Sequence, residues 1–332
     1  MNETKSKREF LLIIFAVLAF AGFIFSIMRG SVEISAAEVL DSLFDSNLSA
    51  EHSKIHSAII ENIRLPRTIV AALVGINLAL SGAILQAVMK NPLADPHIIG
   101  ISSGAGLAGI FVMLVFPEHG IFVTPAAFIG AMCAAVMIYM LAWKNGIRPI
   151  RIILAGVAVS SFLSAGISAL MIFYSDRVHS ALMYMVGGLS ARGWSHVEMI
   201  YPYTIFGMIL AFIGASHLNI LQLGDEIAKS LGLRVEVTRI FLTAVAALLA
   251  ASAVSVVGLL GFVGLIIPHV TRLLIGSDYR FLLPGAALLG MALVTFSDTI
   301  ARVAFAPTEL PVGILMSVLG APFFLFLLRR EL

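Results

Sequence analysis

The sequence predicts an all-α polytopic membrane protein of about ten transmembrane helices, with N- and C-termini in the cytoplasm. Three observations carry this expectation. Of the 332 residues, 60% are hydrophobic and only 12% charged, with mean hydropathy +1.02, whereas a soluble domain is nearer half apolar and a quarter charged. The apolar residues gather into runs close to 10–28, 68–89, 98–116, 121–143, 152–174, 199–217, 238–257, 258–275, 281–300 and 311–328. Most approach the ~20 residues that a helix needs to cross a ~30 Å hydrocarbon layer. With the N-terminus in the cytoplasm, 14 of the 21 Lys and Arg fall on the cytoplasmic side and 7 on the other, which is the bias that sets orientation.

The first run, LLIIFAVLAFAGFIFSI, follows MNETKSKREF. It is longer than the core of a secretory signal, and Met28-Arg29-Gly30 offers no small-x-small cleavage site, so a retained first helix is expected. The outer loop 30–63 is acidic (Glu33, Glu38, Asp41, Asp45, Glu51, Glu61) and contains SAAEVLDSLF, an amphipathic helix that Ser35 can cap, with Glu38 three residues later. His52 and His56 stand four apart beside Glu51, but no third ligand has useful spacing and no metal site is expected.

The stretch 64–106 reads as a transmembrane hairpin. Arg64 and Arg67 flank a proline, an apolar run follows to Met89, and a polar elbow, Lys90-Asn91-Pro92-Leu93-Ala94-Asp95-Pro96, leads into a glycine- and serine-rich run. Arg64, Arg67 and, just past the ninth run, Arg302 lie hard against membrane-spanning segments on the outer side. They either snorkel to headgroups and pair with the loop acids, or form a positive outer face for an acidic partner. Within the second run, Gly75, Ala79, Gly82 and Ala83 permit close helix packing, while Asn77 and Gln86 are candidates for a polar pathway or, equally, for packing. The following GISSGAGLAG is too rich in small residues to face lipid and should be buried against protein.

After the fifth run, ALMYMVGGL is too short to cross and suggests a helix dipping into the outer half of the membrane. The loop 218–236 is the long cytoplasmic one and reads as two short helices with a turn near Leu223-Gly224. The second helix has Asp225 and Glu226 in its first turn and Gly232 at its C-terminal side. Exposed and charged, it suits docking of a cytoplasmic protein. Pro268 makes the eighth run short or broken. Asp298 and Arg302, four apart, can pair, and Thr308-Glu309-Leu310-Pro311 is a helix start with Thr308 as cap.

The missing chemistry narrows the function. Cys133 is the single cysteine, so no intrachain disulfide forms. No GxxxxGK[ST], HExxH or GxSxG occurs, no lysine follows a glycine, and nothing resembles a nucleic-acid surface. A membrane chain with an exposed helical loop, a basic outer rim and no catalytic constellation is most simply a permease subunit driven from outside itself.

Six motifs carry a resemblance: RLPR (64–67), LALSGAILQAVMKNPLADPHIIGISSGAG (78–106), GGLSARGW (187–194), LGDEIAKSLG (223–232), GFVGLIIPHVTRLL (261–274) and ELPVGILMSVLGAPFFLFLL (309–328). In these, over nearly the whole chain after the first helix, it resembles the inner-membrane permeases of type II ABC importers for iron–siderophores, haem and vitamin B12. The resemblance implies a single permease domain, 1–332, in the inner or plasma membrane of a prokaryote. It implies a second permease copy or paralogue with the pathway between the two, two cytoplasmic ATPase subunits, an extracytoplasmic substrate-binding protein, and no cofactor or catalysis in this chain. Carried over by motif, Leu223, Gly224, Asp225, Glu226, Ala228, Leu231 and Gly232 belong to the loop that couples to the ATPase. Arg64, Arg67 and Arg302 match arginines that meet acidic residues of the binding protein. Asn91 and Leu93 fall where the pathway narrows, with Asn77 and Gln86 along it. A ferric-siderophore-type chelate is the expected substrate, with haem or cobalamin as alternatives. A zinc or manganese permease would need intramembrane His or acidic ligands, and these spans offer little beyond His269 and Asp298. At 183–186, Met-Tyr-Met-Val stands where many relatives have a tryptophan.

Overall fold

Each of the ten apolar runs is helical in the computed structural model, which describes residues 2–30, 34, 39, 51–144 and 149–331. In chain order the described helices are α1 (Asn2–Met28), α2 (Glu51–Ile59), α3 (Leu65–Met89), α4 (Pro96–Ile99), α5 (Ile101–Val115), α6 (Val123–Ala142) and α7 (Pro149–Phe173). They continue as α8 (Val178–Val186), α9 (Trp194–Gln222), α10 (Asp225–Ser230), α11 (Val235–Val257), α12 (Val263–Ile275), α13 (Tyr279–Val303) and α14 (Val312–Glu331). Among the described residues seven helical stretches are long and apolar enough to cross a membrane; α5, α12 and the stretch Val312–Leu327 of α14 are shorter apolar helices. The expected helix at 35–44 lies outside the described residues, apart from Val39.

α3 is the axis of the fold. It packs against α9, α11, α12 and α13 and is buried on nearly every side. Its small residues make this possible, because helices in lipid associate through close van der Waals contact. Gly75 lies against the backbone of Gly290 in α13, and Gly82 against the carbonyl of Gly264 in α12; a Cβ at either position would overlap that backbone. Replacing Gly82 by valine should therefore force α3 and α12 apart at a cost of about 1–3 kcal/mol or more. The check is the thermal midpoint of the detergent-solubilised chain, and an unshifted midpoint would contradict this packing.

The glycine- and serine-rich run behaves as its composition predicts. Ile101 to Gly106 are buried, and Gly104 of α5 and Gly130 of α6 approach each other backbone to backbone. By contrast α7 turns exposed apolar side chains such as Phe162, Ile172 and Phe173 outward, as a lipid-facing helix does.

The second span is longer than its apolar run. α2 passes through a π-helical turn, Ile60–Arg64, directly into α3, giving a 35-residue helix from Ile55 to Met89, about 50 Å at 1.5 Å per residue. Pro66, in the first turn of α3, has no N–H to bond backward, which accounts for the irregular turn before it. Arg64 and Arg67 thus lie within a continuous helix and not at its mouth.

The seventh and eighth runs separate where sequence shows almost no gap. α11 ends at Gly258 (φ +82°), where a Cβ would strike the carbonyl of Tyr184. Tyr184 belongs to the short α8, which is pinned there: Leu259 N donates to Tyr184 O (3.0 Å) and Gly188 N to Val257 O (2.9 Å). Only glycine combines that φ with that approach.

The charges sort to two ends. Arg8, Lys90, Asp225, Arg239, Arg272 and Asp278 are linked at one end, with the N-terminal helix, the elbow and the 218–236 loop. Arg64, Arg67, Ser190, Arg302 and Glu309 cluster at the other.

Candidate functional site

At the elbow end, α9 runs unbroken to Gln222, so the first half of the 218–236 loop is an extension of the span and not a separate helix. The turn falls at the expected Leu223-Gly224. Gly224 (φ +109°) and Gly232 (φ +83°) bracket the six-residue α10 in left-handed backbone that favours glycine. Asp225 and Glu226 occupy the first turn of α10, where the exposed N–H groups favour negative charge. Ala228 is buried beneath the helix, while Leu223, Ile227 and Leu231 are 54%, 51% and 59% exposed. Ile227 and Leu231, four apart along α10 and its C-cap, form an exposed apolar pair, and Leu223 ends α9 just before the break at Gly224. Ile227 is not among the residues that the sequence singles out; its i, i+4 spacing from Leu231 is the signal.

Asp225 fixes α10 to its surroundings. Lys90 Nζ donates to its Oδ1 at 2.7 Å, and Arg239 Nη2 donates to Oδ1 and Oδ2 at 2.9 and 3.2 Å. Burial alone would raise the Asp225 carboxyl, but these hydrogen bonds outweigh it and hold the group below its ordinary value. A second node lies nearby. Asp278 accepts from Arg280 Nη2 (2.7 Å) and from Asn219 Nδ2 (2.8 Å), with Arg8 at 3.8 Å. The Arg280 bond leads in holding its carboxyl well below the usual range.

The elbow is a structured turn. Lys90 adopts φ +50°, Asn91 Oδ1 accepts from Leu93 N (2.9 Å), and Asn91 O accepts from Ala94 N (3.1 Å). Asn91 lines a 340 Å³ cavity together with Gln86, Lys90, Pro92 and Arg272, and Leu93 is half-buried beside it. A larger cavity, about 610 Å³, has Asp95, His97, Val186, Phe262, Ser317 and Val318 in its walls, mostly apolar. Of the two polar pathway candidates, Asn77 is wholly buried and donates from Nδ2 to Ser252 Oγ (2.9 Å). Gln86 donates to Gly264 O (3.2 Å) and accepts from Arg272 Nη2 (3.1 Å). Both bind neighbouring helices: Asn77 lines neither of these cavities, and Gln86, only 3% exposed, borders the smaller one.

At the opposite end, Arg64, Arg67 and Arg302 are 2%, 5% and 3% exposed. Arg67 holds Asp298 through two parallel bonds, Nε to Oδ2 and Nη2 to Oδ1, each 2.9 Å, and holds Glu309 through Nη1 at 2.8 Å. Arg302 Nη2 donates to Ser26 O (2.9 Å), and Arg64 Nη1 to the carbonyls of Ile27 and Met28 (3.0 Å each). The structure brings the three together, but as the interior of this end and not as an exposed rim. The expected Asp298–Arg302 pair along one helix gives way to the interhelical Asp298–Arg67 pair, because the guanidinium of Arg67 presents both donors to the carboxylate. The expected start of the last helix also shifts: α14 begins at Val312, and the Glu309 carboxylate turns back to Arg67 and Ser190 Oγ (3.3 Å). Burial would raise Glu309, but the Arg67 bond prevails and lowers it. Among the described residues no group of three His, Cys, Asp or Glu can hold a metal.

The sequence matches the FecCD transport family over residues 17–330. It is 40% identical to the Fe(3+)-citrate import system permease protein YfmE of Bacillus subtilis (strain 168), over 98% of this chain and 97% of that protein. It is 43% identical to the cobalamin import system permease protein BtuC of Halobacterium salinarum, over 82% of this chain and 73% of that one. A solved structure described as an inward-facing conformation of a metal-chelate type ABC transporter superposes with TM-score 0.84 at 26% identity, covering 96% of this chain and 98% of its own.

Proposed function

The chain belongs to the FecCD transport family, and from that membership we propose that it carries a ferric-siderophore-type iron chelate across the membrane. It is a multi-pass permease subunit of a type II ABC importer in a prokaryotic inner membrane. In our reading the whole chain is one permease domain of ten membrane helices, the short α5, α12 and α14 among them, with both termini and the elbow end in the cytoplasm. It binds no cofactor and hydrolyses no ATP; two separate ATPase subunits do so. A second permease copy or paralogue completes the pathway, and the mostly apolar 610 Å³ cavity faces it. An extracytoplasmic binding protein delivers the substrate.

The observation that carries the coupling part is the exposed apolar set of Leu223, at the turn into α10, and Ile227 and Leu231, on α10 and its C-cap, with α10 held by charged anchors. Exposed apolar residues gathered among charged ones at this end fit a surface that another protein covers. Asn91 and Leu93, at the elbow, are the gate in this reading. A docking role for Arg64, Arg67 and Arg302 requires the binding protein to compete with partners that these arginines already hold.

The likeness to a ferric-citrate permease over almost the full length favours iron, and the likeness to a cobalamin permease keeps cobalamin as the second reading. The test is uptake into proteoliposomes holding this chain with its ATPase and binding protein. Radiolabelled ferric citrate, a ferric hydroxamate and cobalamin are compared, with and without ATP. ATP-dependent accumulation of a ferric chelate is expected. Uptake of cobalamin alone would replace the substrate, and uptake without ATP would remove the function.

A further inference from the structure

We propose that Lys90 is a positioning residue that ties the coupling helix to the elbow, so that displacement of α10 moves Asn91 and Leu93. This rests on the coupling role proposed for α10. Lys90 is part of the elbow by its backbone: it caps α3 in a left-handed conformation, its N–H bonded to Ala87 O (3.2 Å), and Asn91 follows with its N–H on Gln86 O (3.1 Å). Its side chain leaves that turn and meets Asp225, the first residue of α10 and 135 positions away in sequence, at 2.7 Å. Asp225 in turn holds Arg239, whose side chain is buried in α11. One carboxylate thus joins three elements: the elbow, α10 and the following span.

Elsewhere α10 is held by its two short turns and by Ala228, which is fully buried. Glu226 and Lys229 are exposed and meet each other at 3.5 Å, and Ile227 faces outward. A force applied to the exposed apolar side chains of α10 therefore has a route to the elbow through Asp225 and Lys90. The two side chains of the Lys90–Asp225 pair are 35% and 39% exposed. A pair this wet contributes little to stability and can break and re-form within a transport cycle. Arg239, at 3% side-chain exposure, is the fixed side of the node, and Lys90 the movable one.

The test uses the complete transporter in proteoliposomes, with ferric citrate as probe, or cobalamin if that is the transported substrate. Lys90→Met should leave ATP hydrolysis near wild type while uptake per ATP falls roughly three- to tenfold, the loss expected for one partly exposed charged hydrogen bond. Lys90→Arg, which keeps the charge and the donors, should restore most of it. Asp225→Asn should lower the same ratio, and adding Lys90→Met to it should change it little, because both act through one contact. Wild-type uptake per ATP in Lys90→Met, or fully additive losses in the double variant, would overturn the proposal. So would hydrolysis falling in step with uptake, which signals lost assembly. If the wild-type complex shows no ATP-driven uptake at all, the coupling role itself falls, which is a different result from a working transporter indifferent to Lys90.

Discussion

Replacing Asp298 by alanine will destabilise the protein by about 3–5 kcal/mol, the cost of leaving one half of a buried ion pair behind. The Asp298 side chain is 1% exposed and that of Arg67 6%, so water cannot replace the lost carboxylate. Removing it leaves Arg67 with Glu309 alone and takes away the closest negative charge from the buried Arg302. The expected result is a sharp fall in the thermal midpoint of the detergent-solubilised chain, or no folded chain at all. Glu309→Gln is the internal comparison. Its carboxylate is 30% exposed, and losing that partly wet partner should cost about 1 kcal/mol or less. If Asp298→Ala melts with wild type while Glu309→Gln does not, the arrangement of this cluster is wrong. Charge reversal of Arg67 would set a third carboxylate beside Asp298 and Glu309, so a docking defect in that variant has meaning only after its fold is shown intact.

The same cluster marks the limit of what the sequence could tell. The ten helical runs were legible because each carries its signal in its own composition, and the third run's burial was legible because five small residues in succession, Ser102 to Gly106, suit close packing against protein and not lipid. Gly224 and Gly232 bracketed α10 for the same local reason. The arginines were not legible. Arg64 and Arg67 have the acids of loop 30–63 as sequence neighbours, and nothing near them points to Asp298, 231 positions beyond Arg67; Arg302 stands four residues from Asp298, and there the spacing points to the wrong pair. Polar residues in Ile60–Arg64 hid the fact that α3 continues outward as helix, and it is this extension that carries Arg64 and Arg67 inside. Asn77 and Gln86 show the converse. A polar residue in a span needs a partner, but only the packed helices show that the partners are Ser252 and the α12 backbone with Arg272. Asp225 was visible as a first-turn acid, and its bond to Lys90 was not.

Substituting aspartate at both Ile227 and Leu231 should abolish association with the ATPase subunit while leaving the permease folded. Each residue is more than half exposed in the chain alone, so the change removes little internal packing, and surface substitutions of this kind usually stay within about 0.5 kcal/mol of wild type. At an interface the balance differs. Burying a large apolar side chain contributes about 1.5–3 kcal/mol, and a buried, unpaired carboxylate opposes association further. Two such losses together reach at least about a hundredfold in affinity, enough to remove the ATPase from a co-purified complex. Glu226→Gln, on a side chain 92% exposed, should leave melting unchanged and serves as the control for the fold. The measurement is the ATPase recovered with affinity-tagged permease, set against the permease's own thermal midpoint. Recovery at the wild-type level in the double variant would mean that these residues face lipid or solvent, and the partner surface would have to be sought elsewhere at the elbow end. Loss of recovery with an unchanged midpoint would assign these residues to the interface, because the unchanged midpoint shows the permease itself intact.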